Sequence, residues 1–166
     1  NQNYPDYELQ IVVDSYEDPA WNMVTHIAAQ AAKQVRITSL VLPRPTCSLK
    51  CSALVQTISA LDDNCEVVAL VDADTVVHPN WLRELVSPLA DPQIGATTGN
   101  RWYLPQDRNW GNVVRYIWNA GAVLQMYFYR IPWGGSLAIK TEVFRQTELL
   151  SKWGKAFTEA VIVQHV

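Results

Sequence analysis

Long apolar runs, clusters of basic residues and paired cysteines are all missing from this chain. No apolar run reaches the roughly 18 residues that a membrane-spanning helix needs. The 13 Lys and Arg residues are scattered and the net charge is −3, so the continuous basic surface of a nucleic-acid-binding protein is not expected. We therefore expect no nucleic-acid partner and no membrane span within these residues.

The cysteine content is low and points to reduced thiols. Cys47, Cys51 and Cys65 form no Cys-x-x-Cys pair and no even-numbered framework, which argues against a disulfide scaffold or a cysteine-based metal site. Reduced thiols are typical of cytosolic proteins. We therefore expect a cytoplasmic location.

The remaining composition describes an ordinary folded domain. The apolar share of 49%, the charged share of 17% and the length of 166 residues fit one domain with a sizeable core, which we place over residues 1–166. The opening residues 1–5 resemble a turn that follows an earlier segment, and the apolar residues 161–163 carry no stop signal. We expect the domain to be a fragment of a longer chain.

Candidate strands and helices alternate along the sequence. Apolar, β-branched runs predict strands at 9–13, 35–41, 67–71, 94–100 and 137–139. Periodic patterns predict helices at 20–33, 49–61, 80–89 and 112–133, and another from Lys140 onward. Asp18 and Thr141 are candidate caps, and Pro19 suits a first helical position. This alternation indicates βαβ units and an α/β fold with a mainly parallel sheet flanked by helices.

An acidic motif follows the most strand-like run. Asp72-Ala73-Asp74 comes directly after residues 67–71, so its carboxylates should lie at the carboxyl edge of the sheet, where open α/β sheets bind ligands. On extended backbone, Asp72 and Asp74 would point the same way. Two such acids suit Mg²⁺ or Mn²⁺. Water and the phosphate oxygens of a substrate would complete the coordination shell of the metal ion. The alternative is a solvated turn.

The predicted helix over 112–133 is apolar on more than one side. It mixes large apolar and aromatic side chains with a few polar ones. The simplest interpretation is a helix that packs across the domain. An interfacial membrane helix or a dimer contact is the alternative.

Five motifs occur in a familiar order along the chain. The motifs are Tyr4-Pro5-Asp6-Tyr7-Glu8-Leu9 with Ile11-Val12-Val13-Asp14-Ser15, Leu49-Lys50-Cys51-Ser52-Ala53-Leu54, Val71-Asp72-Ala73-Asp74, Gly134-Gly135-Ser136-Leu137-Ala138-Ile139 and Phe157-Thr158-Glu159. Together these motifs resemble the family 2 GT-A glycosyltransferases, and especially their ceramide glucosyltransferase-like branch. The resemblance covers nearly the whole chain and implies a Rossmann-like GT-A domain that lacks its first strand.

The resemblance also implies roles on the donor side. Asp14 would recognise the nucleotide base, Lys50 the phosphates or ribose, and Asp72 the sugar or ribose. Asp74 would hold Mn²⁺ or Mg²⁺ on the diphosphate of a nucleotide-sugar donor. The structural alternatives are a turn or cap acid at 14 and an ordinary solvated lysine at 50.

Further candidates lie near the end of the chain. Gly134 and Gly135 would let backbone approach the donor or acceptor closely, or else form a tight turn without ligand contact. Trp133 would stack on a sugar ring. His165 is a candidate third metal ligand.

One position departs from the family pattern. Where family members carry an acidic pair whose second acid is the catalytic base, this chain has Glu159-Ala160. Alanine cannot accept a proton, so either Glu159 is the base or the chain is inactive.

We therefore expect an inverting transfer of a hexose, from a UDP-sugar, to an acceptor hydroxyl. The resemblance favours a lipid acceptor, and with it a peripheral membrane contact at the cytoplasmic face. The competing hypotheses are a nucleotide-sugar-binding domain without catalysis and a phosphoryl-transfer domain, for which Lys140 after a strand is a weak match.

Overall fold

The computed structural model describes residues 2–31, 33–100, 107 and 109–163, in which five strands and seven helices alternate. The strands are β1 (Leu9–Val13), β2 (Val35–Ser39), β3 (Val67–Val71), β4 (Ala96–Thr98) and β5 (Ser136–Lys140). The helices are α1 (Pro19–Ala29), α2 (Leu49–Ser59), α3 (Trp81–Val86), α4 (Trp110–Tyr129), α5 (Thr141–Gln146), α6 (Leu149–Trp153) and α7 (Ala160–Val163), with a 3₁₀ helix at Ser87–Ala90. The predicted α/β class is confirmed.

The strand pairing differs from one mainly parallel sheet. β1 and β2 pair in parallel, whereas β3, β5 and β4 form a separate sheet in the order β3-β5-β4 in which both pairs are antiparallel. The difference arises because β5 returns between β3 and β4 in the opposite direction. The absence of a first strand stays a prediction.

Local chemistry accounts for several element boundaries. Asp18 accepts a hydrogen bond from the Ala20 N–H at 2.8 Å, with Pro19 at the first position of α1, so that predicted start is confirmed. Helices α1 and α2 end earlier than predicted, because their last turns form 3₁₀-type hydrogen bonds, in which each N–H donates to the carbonyl three residues earlier. Thr141 is not the predicted cap: its hydroxyl donates to the Cys65 carbonyl, and it is the first helical residue of α5.

Two apolar clusters cover opposite faces of the β3–β5–β4 sheet. One face packs on α2, α5 and α6 through Val55, Ile58, Leu70, Leu137, Ile139, Phe144, Leu149 and Trp153. The other packs on α3 and the 3₁₀ helix through Leu85, Leu89 and Ala138. The alternation along β5 produces this division, since neighbouring side chains point to opposite faces. Both faces are therefore buried, as in an α/β domain.

Helix α4 does not pack across the domain, as the simplest interpretation of the sequence expected. Among its 20 residues only Asn119 is buried, and most of its large apolar side chains are exposed. Among the described residues, no helix is long and apolar enough to cross a bilayer. All three cysteines are free.

Candidate active site

The site begins where β3 meets β5. Val71 pairs with Ser136, so the carboxyl end of β3 lies beside the turn that leads into β5. The Asp72 N–H continues this pairing with a long hydrogen bond of 3.4 Å to the Gly135 carbonyl. The register thus brings the acidic motif together with the Gly134-Gly135 motif, as the sequence predicts for one shared site.

The two acids of the motif differ in their surroundings. Residues 73 and 74 form a turn, which the Thr75 N–H closes on the Asp72 carbonyl at 3.0 Å. The extended strand therefore ends at Val71, and the convergence of Asp72 and Asp74 on one site stays a prediction. Asp72 is half-buried and paired, whereas Asp74 is exposed and forms no ion pair with any described residue.

Lys50 joins Asp72 to Glu159. It is the second residue of α2, whose start the Ser48 hydroxyl caps by accepting from the Cys51 N–H at 3.2 Å. Its Nζ lies 2.7 Å from Asp72 Oδ1 and 2.6 Å from Glu159 Oε1. The Glu159 side chain is only 5% exposed, so this ammonium neutralises a nearly buried carboxylate.

The electrostatics of this triad favour the charged lysine. Partial burial by itself would lower the pKa of Lys50, but the hydrogen bonds and negative charges of Asp72 and Glu159 outweigh it and raise that pKa. The cluster therefore keeps its ammonium at neutral pH. It presents one cation and two acids at the carboxyl end of β3.

Neighbouring contacts hold the Glu159 segment against α2. The buried Trp153 indole N–H donates to the Glu159 carbonyl at 3.1 Å, and the Ser48 N–H donates to the Ala156 carbonyl at 3.1 Å. Ala160 follows as the first residue of α7. The sequence around 157–160 thus reaches the site beside the start of α2.

The two glycines make room for the site's own side chains. A Cβ at Gly134 would overlap the Glu159 carboxylate, and a Cβ at Gly135 would overlap Asp72 Oδ2 and the Trp133 ring. No described glycine has a positive φ, so a special turn conformation is not what these positions require. Their small size lets β5 begin against two carboxylates.

Some predicted site residues lie outside this cluster. Asp14 is exposed at the end of β1 and has no ion pair within the described part of the chain. His165 lies outside the described residues. No three metal-ligating side chains cluster in the described ranges, so a cation would take Asp74 and complete its shell with substrate oxygens, a donor set that suits Mg²⁺ or Mn²⁺.

The phosphoryl-transfer hypothesis loses the residue that favoured it. Lys140 pairs with Val67 at the opposite end of β3 from Asp72, and its Nζ donates to the Asp91 carbonyl at 2.8 Å. At about 3.3 Å per residue, the five residue steps from Val67 to Asp72 separate Lys140 from the acidic motif by roughly 16 Å. Lys140 is therefore not part of the site.

Sequence reasoning missed the side chains that fix the turn before β5. Trp81 Nε1 donates to the buried Ser136 hydroxyl at 2.9 Å, and the Trp133 N–H donates to Thr98 Oγ1 at 2.8 Å. It also missed that Lys50 binds two acids of the chain itself. No local pattern signals these contacts, because each joins residues far apart in sequence.

The comparisons with known proteins identify the family of the chain. A family model described as glycosyltransferase like family 2 matches residues 1–161. No curated protein and no solved structure matches the chain. Because the family match spans nearly the whole chain, the chain belongs to the glycosyltransferase like family 2, and is a glycosyltransferase domain for a nucleotide-sugar donor and an acceptor.

Proposed function

We propose that this domain transfers a hexose from a UDP-sugar to an acceptor hydroxyl with inversion at the anomeric carbon. The observation that supports this most is the contact of Lys50 with both Asp72 and Glu159. Three separate motifs of the family resemblance thereby meet at the carboxyl end of β3, the edge at which α/β sheets bind ligands.

On the donor side, the exposure of the acidic and basic side chains supports the proposed roles. Asp14 ends β1 with an exposed carboxylate that can accept an N–H from uracil. Lys50 is 46% exposed as a side chain and can contact a diphosphate from its present place, while Asp72 binds the sugar or ribose. Asp74 holds Mn²⁺ or Mg²⁺, which when bound would offset charge on the departing nucleoside diphosphate.

On the acceptor side, the pairing of Glu159 argues against a simple base. A carboxylate that is nearly buried and 2.6 Å from an ammonium has its negative charge neutralised and is screened from an incoming hydroxyl. General base catalysis needs a carboxylate within hydrogen-bond reach of that hydroxyl. We infer that Glu159 positions Lys50 and that position 160, where Ala stands, is the place from which a base would act.

The same observation supports a second candidate function. A domain with Ala160 and a paired Glu159 retains the donor side of the site without a free base. Such a domain would bind a nucleotide sugar and transfer it slowly or not at all. This second function shares every donor-side role with the first.

One measurement separates the two functions. Release of nucleoside diphosphate is followed from UDP-glucose, UDP-galactose and GDP-mannose, with Mn²⁺, Mg²⁺ or chelator, in the presence and absence of ceramide. Cation-dependent release from a UDP-hexose that ceramide accelerates supports transfer. Calorimetric binding of UDP without any release supports the second function, and failure to bind any nucleotide overturns both.

The choice of ceramide follows from the proposed branch. A ceramide glucosyltransferase-like member would use a lipid acceptor and work at the cytoplasmic face of a membrane. Among the three donors, UDP-glucose is the one that this branch favours. Release that is equal with ceramide and without it would argue against a lipid acceptor.

A further inference from the structure

Helix α4 carries an apolar stripe on the side that faces away from the protein. At about 100° per residue, positions separated by alternating steps of four and three residues fall on one face. All five non-glycine side chains of the stripe are more than 60% exposed. The stripe consists of Trp110, Val114, Ile117, Gly121, Leu124 and Phe128.

The inward side of α4 is a mixture of polar and apolar residues. Asn119 is its one buried residue, and Asn112, Val123 and Met126 on the same side are half-buried. A helix at the surface of a water-soluble domain turns its largest apolar side chains inward, whereas most of the large apolar and aromatic side chains of α4 are exposed. Nothing within the described part of the chain covers the stripe.

The width of the apolar sector argues for a membrane surface rather than a second helix. A helix pair in water buries a narrow seam and flanks it with charged side chains. Here the apolar and aromatic sector spans about 200° of the helix with Gln125 as its one polar member, and no flanking position carries a charge. The flanking residues are Val113, Trp118, Ala120, Gln125 and Tyr127.

Aromatic residues border the stripe on both sides. On the projection, Trp118 and Tyr129 lie along one edge and Tyr116 and Tyr127 along the other, and their exposed fractions are 80%, 67%, 43% and 81%. Trp and Tyr combine an apolar ring with a polar N–H or O–H, and they concentrate where hydrocarbon meets headgroups. A helix lying flat in that boundary would place its two edges at this depth.

The local charge matches an anionic bilayer. The chain has a net charge of −3, yet helix α4 and its C-terminal cap contain two basic residues, Arg115 and Arg130, and no acid. Two copies of this segment would bring like charges together, whereas anionic headgroups would attract them. Charge therefore favours lipid over a second copy.

We propose that the outward face of α4 docks this domain on a phospholipid bilayer that contains anionic lipid, with the helix parallel to the membrane plane. The proposal deepens the lipid-acceptor part of the proposed function and rests on it for its biological purpose. Helix α4 ends at Arg130, only a few residues before Gly134 of the site. Docking there would place the acceptor side of the site beside the bilayer.

The test is flotation of the full chain with phosphatidylcholine vesicles, with and without phosphatidylserine. The double variant Ile117→Asp/Leu124→Asp changes two stripe residues that are 63% and 61% exposed, and the matched control Met23→Asp/Ile27→Asp changes two on α1 that are each 60% exposed. We expect the parent and the control to float, phosphatidylserine to increase binding, and the stripe variant to lose more than about ten-fold in affinity.

Two further measurements keep the proposal separate from the proposed function. Circular dichroism establishes that both variants are folded, and calorimetry with UDP establishes that the donor side is intact. A parent that binds UDP but no vesicles overturns the docking proposal alone. Equal flotation of the stripe variant and the control also overturns it, as does a concentration-dependent dimer that only the stripe variant disrupts.

Discussion

Gly134 lies so close to the Glu159 carboxylate that a Cβ at position 134 would overlap it. The other side of that carboxylate contacts the Lys50 ammonium at 2.6 Å. Backbone on one side and an ion pair on the other therefore fix the position of Glu159. The contacts among Lys50, Asp72 and Glu159 therefore depend on a glycine at position 134, because any side chain there would displace Glu159.

Gly134→Ala should disrupt this arrangement. The added methyl group must displace Glu159, which we expect to lower the free energy of unfolding by about 1–3 kcal/mol, the usual cost of overpacking. The matched control is Gly121→Ala in α4, where a Cβ would meet nothing within 4 Å, and which should stabilise the helix by roughly 0.5–1 kcal/mol. Urea unfolding of both variants checks this, and equal effects would refute the close packing of Gly134.

Lys50→Met should destabilise the fold by leaving Glu159 unpaired. The Asp72 pair is partly exposed and contributes little, whereas an unpaired, nearly buried carboxylate costs about 1–3 kcal/mol. The exposed Lys152→Met serves as the control and should change stability by less than about 0.5 kcal/mol. A Lys50→Met protein as stable as the control would show that the triad does not contribute.

The pH dependence of that difference has a defined sign. Because Asp72 and Glu159 raise the pKa of Lys50 in the folded chain, the folded state keeps a proton that the unfolded state releases earlier. The stabilisation is complete below the unfolded pKa of about 10.4 and is lost as pH rises through the higher folded value. The gap in unfolding free energy between the parent and Lys50→Met should therefore stay constant from neutral pH up to the unfolded pKa and narrow as pH rises above about 10.4.

Asp74→Ala is expected to abolish metal-dependent nucleotide binding. Its carboxylate is exposed and has no ion-pair partner among the described residues, so the substitution should leave the fold unchanged. Calorimetry with UDP and Mn²⁺ measures the effect, and the exposed loop acid Asp62→Ala is the control. If UDP affinity is unchanged by Asp74→Ala and by chelator, the metal role is wrong.

Asp14→Ala should weaken UDP binding by roughly 1–3 kcal/mol, the cost of leaving a base N–H without its acceptor. The loss should be the same with Mn²⁺ and with chelator, because Asp14 is proposed to contact the base and not the diphosphate. Calorimetry of both conditions measures it. Full affinity in the variant would remove Asp14 from the donor site.

Ala160→Asp should restore transfer while leaving donor affinity nearly unchanged. A correctly placed base contributes about 10²–10⁴-fold, and the parent lacks a carboxylate at this position. The isosteric Ala160→Asn cannot accept the proton and is the control. Equal turnover by the parent and the Asp variant would contradict this expectation, and loss of all parental activity in Glu159→Gln would instead make Glu159 the base.

Much of the fold follows from local patterns in the sequence. The run at 67–71 is a strand with the predicted bounds, and α1 begins at Pro19 because Asp18 caps it. These features depend on residues a few positions apart, which the sequence displays directly. The ends of α1 and α2 were less predictable, since a last turn can tighten without any marking residue.

The pairing of the strands could not be predicted from the sequence and was determined only by the tertiary structure. The patterns identify β3 and β5 as strands but say nothing of their relative direction, and the antiparallel pairing of β5 with β3 and β4 depends on the path of the chain between them. The same holds for α4, whose sequence predicts a helix but not which side faces the protein.

For the candidate site too, the sequence determined some features and only the tertiary structure determined the others. The motifs at 14, 50, 72–74, 134–135 and 159 were recognisable in the sequence by themselves, because residue type and spacing carry the family resemblance. Only the tertiary structure decided that Lys50 binds Asp72 and Glu159 while Asp74 is free of ion pairs within the described residues. An ion pair needs its two charged atoms within about 4 Å, and that proximity is set by the packing of α2, β3 and the Glu159 segment.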